Sequence, residues 1–198
     1  MVGDSVLNSR NAWYALSLLF AANLFNYMDR MIISVVLPMI KTDLALSDTQ
    51  LGVLSGIAFA VFYATFGIPI ARWADRGTRR TIVSLAIAAW SIMTVLCGMA
   101  QNFFQLMLAR FGVGIGEAGC IPPSHSLISD YFPKERRSTA LGVHTAGATL
   151  GIVGGLALGG YIAETWGWRW AFWMLGAPGL LLAILIRLTL TEPPRGAS

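Results

Sequence analysis

Ionisable residues inside apolar stretches are the part of this sequence that could perform chemistry. Glu117 ends the sequence Arg110-Phe-Gly-Val-Gly-Ile-Gly-Glu117, which lies within an apolar segment of residues 103–132. A second pair, Asp29 and Arg30, interrupts another apolar segment near the N-terminus. Because a helix returns to nearly the same face after seven residues, Arg110 and Glu117 share one stripe, about 10 Å apart along the axis. Charged side chains at such depths are costly in a membrane and usually face a cavity or a charged partner.

Two carboxyl groups beside an arginine can bind and release protons. Burial favours the neutral carboxyl and a nearby guanidinium favours the ionised one, so protonation depends on whether water reaches the site. We therefore predict that Asp29 and Glu117 carry protons. Arg110 is expected to hold a carboxylate or the anionic group of a substrate, because a guanidinium pairs well with carboxylate and phosphate. Arg30 is either a second such group or a structural partner that neutralises Asp29, and a static buried ion pair is the alternative to coupling.

Polar residues on the same helix faces are candidates for lining a cavity. Those on the first helix fall within one arc and are Asn23, Asn26, Tyr27, Arg30 and Ser34. Gly114 and Ser124 share the stripe of Glu117 on the fourth helix. Hydrogen bonds between helices are the alternative role for these residues. His125 and His144 are isolated in the sequence and are expected to pack or to face a loop.

The composition indicates an integral membrane protein. Hydrophobic residues make up 56% of the chain and charged residues 12%, whereas soluble domains average about 25% charged residues. The net charge of +4 comes from basic residues in short loops, which does not indicate a nucleic-acid partner. Cys97 and Cys120 lie at different depths of apolar segments, so we expect no disulfide. No CxxC motif or histidine cluster predicts a metal or a cofactor.

The apolar segments are long enough to cross a bilayer, for which a helix needs roughly 20 residues. They cover approximately residues 12–40, 49–74, 81–100, 103–132, 138–164 and 169–190. No stretch alternates like a barrel strand, so the predicted class is an all-α membrane protein. The expected layout is a tail (1–11), a six-helix transmembrane bundle (12–190) and the start of a central cytoplasmic linker (191–198). The first segment lacks a cleavage site and is expected to be a retained helix rather than a signal peptide.

Basic residues predict the orientation of the bundle. With the N-terminus inside, only Lys41 and Arg169 fall in the loops on the outer side. The loops and ends on the cytoplasmic side then hold Arg10, Arg72, Arg76, Arg79, Arg80, Lys134, Arg136, Arg137, Arg187 and Arg195. This asymmetry predicts a multi-pass protein of the cell membrane, the inner membrane in a bacterium, with both ends of the chain cytoplasmic.

The chain also repeats itself, since Thr49-Gln-Leu-Gly-Val recurs as Thr139-Ala-Leu-Gly-Val. Three helices per unit place the second unit upside down relative to the first, an arrangement typical of secondary transporters. The repeats cover about 12–100 and 103–190. Their alignment places Asp29 and Glu117 at the same depth.

Glycines and prolines predict where helices pack closely or break. Gly147, Gly151 and Gly155 form a small-xxx-small ladder, which indicates close helix packing or, equally, a hinge. Pro122 and Pro123 are expected to break the fourth helix about one turn beyond the buried glutamate.

Residues 71–80, Ala-Arg-Trp-Ala-Asp-Arg-Gly-Thr-Arg-Arg, resemble motif A of the major facilitator superfamily, G-x-L-A-D-R-x-G-R-R. Asp75, Arg76, Arg79 and Arg80 match the motif, while alanine and threonine replace its two glycines. In that family the loop latches the two halves of the transporter together on the cytoplasmic side. The resemblance therefore implies a cytoplasmic gate rather than a binding site.

Four further sequences together resemble the spinster branch of that superfamily. They are Asn26-Tyr-Met-Asp-Arg30, Arg110-x3-Gly-x-Gly-Glu-Ala118, Asp130-Tyr-Phe-Pro-x-Glu-Arg-Arg137 and Glu192-Pro-Pro-Arg-Gly196. The resemblance implies twelve helices in two six-helix halves, of which this chain is the N-terminal half and a C-terminal half is the partner. Animal members of the branch export lysophospholipids and sphingosine phosphate, and the matching acidic and basic positions are implicated in coupling.

These observations predict a proton-coupled secondary active transporter that works by alternating access. Its substrate is expected to be an amphipathic, anionic small molecule such as a lysolipid. The alternatives are an organic-anion/proton symporter of the same superfamily and, in another class, a membrane receptor or structural six-helix half without transport. An intramembrane serine protease is not expected, because Ser55 lies in a Gly-Val-Leu-Ser-Gly sequence but no histidine follows His144.

Overall fold

The computed structural model describes residues 9–196, apart from the side chains of residues 57–59 and 75. The α-helices are α1 (Ser9–Asp43), α2 (Asp48–Gly52), α3 (Ala58–Arg76), α4 (Arg79–Met99), α5 (Phe103–Ala118), α6 (Ile121–Tyr131), α7 (Lys134–Trp166) and α8 (Trp168–Thr189). A π-helical turn, Val53–Ile57, joins α2 and α3 into one crossing, and α5 and α6 form another. The described residues make six crossings and contain no β-strand, so the predicted all-α bundle is confirmed.

Most of the crossings are long and apolar enough to span a bilayer. Within the described residues, these spans are Asp48–Ala74, Arg79–Met99, Lys134–Trp166 and Trp168–Thr189. The two crossings that fall short of this test are α1 and the broken crossing formed by α5 and α6. They are also the crossings that carry Asp29, Arg110 and Glu117. Polar residues lower the mean hydropathy of α1, whereas α5 and α6, with 16 and 11 residues, are each too short to span a bilayer alone.

The fourth crossing breaks close to the predicted position. Helix α5 ends at Ala118 and α6 begins at Ile121, so the break falls immediately after Glu117. Pro122 lies in the first turn of α6, where its missing N–H has no intrahelical partner to lose. The break therefore leaves the buried carboxyl near the end of a helix rather than in its middle.

The glycine ladder of α7 packs directly against α1. A Cβ atom added at Gly151 would lie 2.4 Å from the carbonyl oxygen of Leu24, and one added at Gly155 would lie 2.6 Å from that of Met28. Gly147 makes the corresponding approach to Phe20, at 2.9 Å. The space for a side chain is filled by the backbone of the neighbouring helix, so the ladder allows close packing of the first and fifth crossings.

A cluster around Arg169 ties three crossings together at the end of the bundle opposite the chain termini. The Arg169 guanidinium donates to Asp43 at 2.6 Å and to the carbonyl oxygen of Ala100 at 3.2 Å, and it stacks on Trp168 at 4.2 Å from the ring centre. The Trp168 indole also donates to Asp43, at 3.2 Å. The hydrogen bond from Arg169 lowers the pKa of the Asp43 carboxyl below its ordinary value. The cluster joins the ends of α1 and α4 to the start of α8.

Candidate functional site

Charged side chains from the first and fourth crossings meet in the interior of the bundle. They are Asp29 and Arg30 on α1 and Arg110 and Glu117 on α5. Asp29, Arg110 and Glu117 are buried, with at most 1% of each residue exposed. The two carboxyls interact electrostatically with each other. Residues 87 positions apart in the sequence therefore form one cluster.

Arg30 forms an ion pair with Glu117. Its Nη2 lies 2.6 Å from Oε2 of Glu117 and its Nε lies 3.1 Å from the same oxygen. The second carboxylate oxygen, Oε1, makes no hydrogen bond within the described part of the chain. The Arg30 side chain is 23% exposed, while the Glu117 side chain is fully buried. The sequence suggested Asp29 as the carboxylate that Arg30 would neutralise, but the structure pairs Arg30 with Glu117.

Two tyrosine rings flank the guanidinium of Arg30. Its Cζ lies 5.0 Å from the centre of the Tyr27 ring and 5.1 Å from the centre of the Tyr63 ring. Both distances are within the range of cation–π attraction. Tyr63 lies on α3, so the second crossing contributes to the site. The sequence analysis missed Tyr63, because an aromatic residue in an apolar helix carries no signal of the cation it will meet.

Asp29 lies deeper in the bundle than the exposed end of Arg30. Within the described residues neither of its carboxylate oxygens makes a well-aligned hydrogen bond. It interacts electrostatically most strongly with Arg110, and then with Thr94 of α4, Arg30 and Glu117. The electrostatic neighbour of Arg110 is thus a carboxyl group on α1. The four charges form a network in which each carboxyl has its own arginine neighbour.

The asparagines predicted to line a cavity, Asn23 and Asn26, are buried in this half of the fold. The amide of Asn23 donates to the backbone carbonyl oxygen of His144 at 2.8 Å, which is the interhelical hydrogen bond considered as its alternative role. His144 is buried and its ring packs edge-on against that of His125, with the ring centres 5.1 Å apart. The expectation that the histidines pack is in agreement with this contact.

The hydroxyls of the two predicted cavity serines bond to backbone carbonyls in their own part of the chain. Ser34 is exposed and its hydroxyl donates to the carbonyl oxygen of Met31 at 2.6 Å. Ser124 is buried and donates to Cys120 in the same way, also at 2.6 Å. Gly114 is buried. These serine hydroxyls are satisfied by their own helices, so the functional contacts of the site come from charged and aromatic residues.

Arg79, one of the predicted gate residues, is buried at the end of the bundle where α1 begins and α8 ends. Its Nε donates to Glu192 at 2.9 Å and its Nη2 to the carbonyl oxygen of Pro193 at 2.9 Å. Its Nη1 donates to the Ser126 hydroxyl at 2.9 Å and forms an ion pair with Asp130. Arg79 therefore joins the start of α4, the end of α6 and the residues that follow α8.

The other predicted gate residues divide into bound and exposed side chains. The backbone N–H of Arg80 donates to Glu192 at 2.8 Å, and its guanidinium donates to the carbonyl oxygen of Leu190 at 3.0 Å. Arg76 is exposed. The side chain of Asp75 lies outside the described part of the structure. The acidic partners Asp130 and Glu192 belong to motifs that the sequence analysis used only for the family resemblance, and that was the available signal for this network.

The fold and the site define a helical membrane bundle with a buried charge network between inverted repeats, the class to which secondary transporters belong. Residues 19–198 match the family model of the Major Facilitator Superfamily. The chain belongs to the Major Facilitator Superfamily. This match confirms the prediction made from motif A.

Individual relatives place the chain within the family. It is 43% identical over 179 residues to an MFS-type efflux pump of Mycolicibacterium smegmatis, covering 90% of this chain and 42% of the relative. It is 34% identical to a probable L-galactonate transporter of Escherichia coli, covering 86% and 37% of the two chains. A crystal structure of a bacterial homolog of the human lysosomal transporter Spinster, in an inward-facing and occupied conformation, superposes with a TM-score of 0.88. It is 45% identical and covers 92% of this chain and 45% of that one, so the predicted resemblance to the spinster branch is confirmed.

The chain spans less than half the length of these relatives. The shares are 42% for the efflux pump and 45% for the Spinster homolog. Six crossings therefore correspond to one half of the family fold, consistent with a C-terminal six-helix half as partner. The relatives are transporters, so the comparisons give no support to an intramembrane enzyme.

Proposed function

We propose that this chain forms the N-terminal half of a proton-coupled secondary active transporter for an amphipathic anion such as a lysolipid. The observation that carries the proposal is the ion pair between a partly exposed arginine, Arg30, and a fully buried carboxylate, Glu117. An arginine with one accessible side can exchange its carboxylate for the anionic group of a substrate. A buried carboxylate that loses its cation is stabilised by binding a proton.

The coupling step follows from this competition for Arg30. When a substrate anion binds the guanidinium, the hydrogen bonds to Oε2 of Glu117 break and Glu117 takes up a proton from water. When the substrate leaves, Glu117 returns its proton and pairs with Arg30 again. Substrate anion and proton therefore enter and leave the site together, which conserves charge at each step.

The second charged pair is assigned a supporting role in the same proposal. Asp29 is buried without a well-aligned hydrogen bond among the described residues and faces Arg110. The charge of such a carboxyl depends strongly on whether water reaches it, so a change between inward and outward cavities alters its protonation. Asp29 is therefore proposed as the second proton-carrying group, with Arg110 as its charge partner.

The loop after the second crossing and the two ends of the chain are assigned roles that involve the proposed C-terminal half. Asp75 and Arg76 are proposed to contact the C-terminal half at a cytoplasmic gate, because Arg76 is exposed while Arg79 and Arg80 are held within this half. Residues 191–198 are proposed to begin the linker to that half, and residues 1–11 to form a cytoplasmic tail. Both ends of the chain then lie in the cytoplasm, as the distribution of basic residues indicates.

The side chains around Arg30 indicate the class of substrate. Tyr27 and Tyr63 beside Arg30 supply aromatic surface next to a cation, which suits a molecule with an anionic group and an apolar part. An organic-anion/proton symporter is the second candidate, because a relative is described as a probable L-galactonate transporter. Uptake and efflux of a lysolipid and of L-galactonate, measured side by side in vesicles, distinguishes the two.

The test of coupling uses the complete transporter in vesicles. Glu117→Gln is expected to abolish uptake driven by a pH gradient while exchange of substrate at equal pH continues, because glutamine cannot release a proton. Asp29→Asn is expected to weaken the response to the gradient. Glu164→Gln, at an exposed glutamate near the end of α7, is the matched control and should behave as wild type. Unchanged gradient-driven uptake in both Glu117→Gln and Asp29→Asn contradicts the proposal.

A further inference from the structure

A groove on the outer face of the bundle lies between α4 and α8, away from the charged cluster. Its volume is about 250 Å³. Its lining is Ser84, Leu85 and Ala88 on α4 and Ala183, Ile184, Arg187 and Leu188 on α8. Apart from Arg187 and one serine, this lining is apolar. The groove therefore combines an apolar channel with a single cation at one end.

The surroundings of the groove are those of a surface that faces lipid. Leu85, Ile184 and Leu188 are exposed, the last of them by 76%. Both α4 and α8 are among the helices long and apolar enough to span a bilayer. Arg30 and the two rings beside it belong to α1 and α3, so a second half that meets the partly exposed Arg30 would cover those helices rather than α4 and α8. The groove between α4 and α8 is left to the acyl chains of the membrane.

Arg187 provides the charge that distinguishes this groove from the rest of the surface. It lies in the last turn of α8, at the level of the lipid headgroups, and it is exposed. No hydrogen bond or ion pair connects it to another residue in the described part of the chain, whereas Arg79 and Arg169 have acidic partners. Basic pockets between transmembrane helices bind anionic lipid headgroups.

A second groove allows an internal comparison. It lies between α4 and α5 at the opposite end of the bundle, and its polar lining consists of Gln101 and Gln105. No basic residue lines it. The two grooves are both apolar channels between adjacent helices, so a preference for negatively charged lipid is expected only where Arg187 is present.

We propose that the groove between α4 and α8 binds one anionic glycerophospholipid of the surrounding bilayer. One acyl chain lies along the groove beside Ala88 and Ala183, and the phosphate pairs with the Arg187 guanidinium, a geometry that a guanidinium favours. The bound lipid bridges the third and sixth crossings at the headgroup level. This site is independent of the substrate site proposed above.

The experiment measures lipid retention by the purified full-length transporter with native mass spectrometry. The probes are dioleoyl phosphatidylglycerol and dioleoyl phosphatidylcholine, added in equal amounts. Wild type is expected to retain phosphatidylglycerol in preference, and Arg187→Gln to reduce that preference ~5-fold, the effect of one basic residue near an anionic headgroup. Arg187→Lys should keep most of the preference for phosphatidylglycerol. Arg72→Gln, at another exposed arginine of the same end, should leave the preference unchanged.

A second pair of variants tests the groove itself. Ala88→Phe fills the groove and is expected to remove the retained phosphatidylglycerol. Leu96→Phe, in the second groove, is expected to leave the retained phosphatidylglycerol unchanged. An equal preference in wild type and Arg187→Gln overturns the proposal. The proposal is also overturned if a nitroxide label in place of Leu188 is shielded from oxygen dissolved in the bilayer. The C-terminal half and not lipid would then cover the groove.

Discussion

At the scale of single residues, the site is decided by which arginine pairs with which carboxylate. Arg30 contacts Glu117 through two hydrogen bonds to one oxygen, while Asp29 has Arg110 as its strongest electrostatic neighbour. A buried carboxylate is costly unless it is paired, and the loss of one partner leaves the other charge uncompensated. The two pairs are therefore expected to respond differently to substitution.

Arg30→Gln is expected to destabilise the complete transporter by about 2–3 kcal/mol, because it leaves Glu117 buried without its cation. The double variant Arg30→Gln/Glu117→Gln should recover most of that stability, since it removes both charges. Neither variant should show uptake driven by a pH gradient. Thermal unfolding in detergent measures the first effect and vesicle uptake the second. Additive destabilisation in the double variant would show that the pair contributes no coupling energy.

At the scale of elements, corresponding arginine contacts occur at the two ends of the inverted repeats. Arg169, at the start of α8, bonds Asp43 at the end of α1 and a carbonyl oxygen following α4. Arg79, at the start of α4, pairs with Asp130 near the end of α6 and with residues following α8. The third helix of each repeat thus begins with an arginine that contacts the end of the first helix of the other repeat. An ion pair between an arginine and an aspartate therefore joins the two repeats at each end of the bundle.

Glycine substitutions test how closely the elements pack. Gly151→Ala is expected to lower the stability of the complete transporter by about 1–3 kcal/mol, because the new Cβ would lie 2.4 Å from the carbonyl oxygen of Leu24. Gly142→Ala, on the same helix, has no atom within 4 Å of the added Cβ. It should raise stability slightly, since alanine favours a helix by up to about 1 kcal/mol over glycine. Thermal unfolding of both variants gives the comparison, and a hinge role for the ladder would instead predict altered transport with little change in stability.

At the scale of the whole molecule, this chain is one half of the family's transport unit. The superposition with the Spinster homolog covers 92% of this chain and 45% of that one. Within the charged cluster the Glu117 side chain is fully buried, while the Arg30 side chain is 23% exposed. In the function proposed above, a second six-helix half would complete the cavity on that side, since inverted-repeat transporters place their sites near the midplane between repeats.

The orientation of the bundle is tested by labelling in cells that make the full-length protein. The native Cys97 and Cys120 are buried, so they should not react with a membrane-impermeant maleimide. Lys41→Cys is expected to be labelled in intact cells and Lys134→Cys only after the membrane is permeabilised, because basic loops face the cytoplasm. The reverse pattern would show that the proposed orientation is wrong.

Much of the architecture was predictable from the sequence. Hydropathy and helical periodicity are local properties, so they predicted six crossings, the break after Glu117 and the close packing positions in α7. Charged residues stand out against an apolar background, so Asp29, Arg30, Arg110 and Glu117 were identified as a group. Motif A and its companion sequences identified the family, which the comparisons confirmed.

Only the tertiary structure decided how these residues are partnered. The pairing of Arg30 with Glu117, the position of Tyr63 beside it and the burial of Asn23 all depend on distances between helices far apart in sequence. Periodicity states which face a side chain occupies, but it does not state which neighbouring helix meets that face. The same reason explains why the acidic partners of Arg79 were not predicted, since they lie 51 and 113 residues away in the sequence.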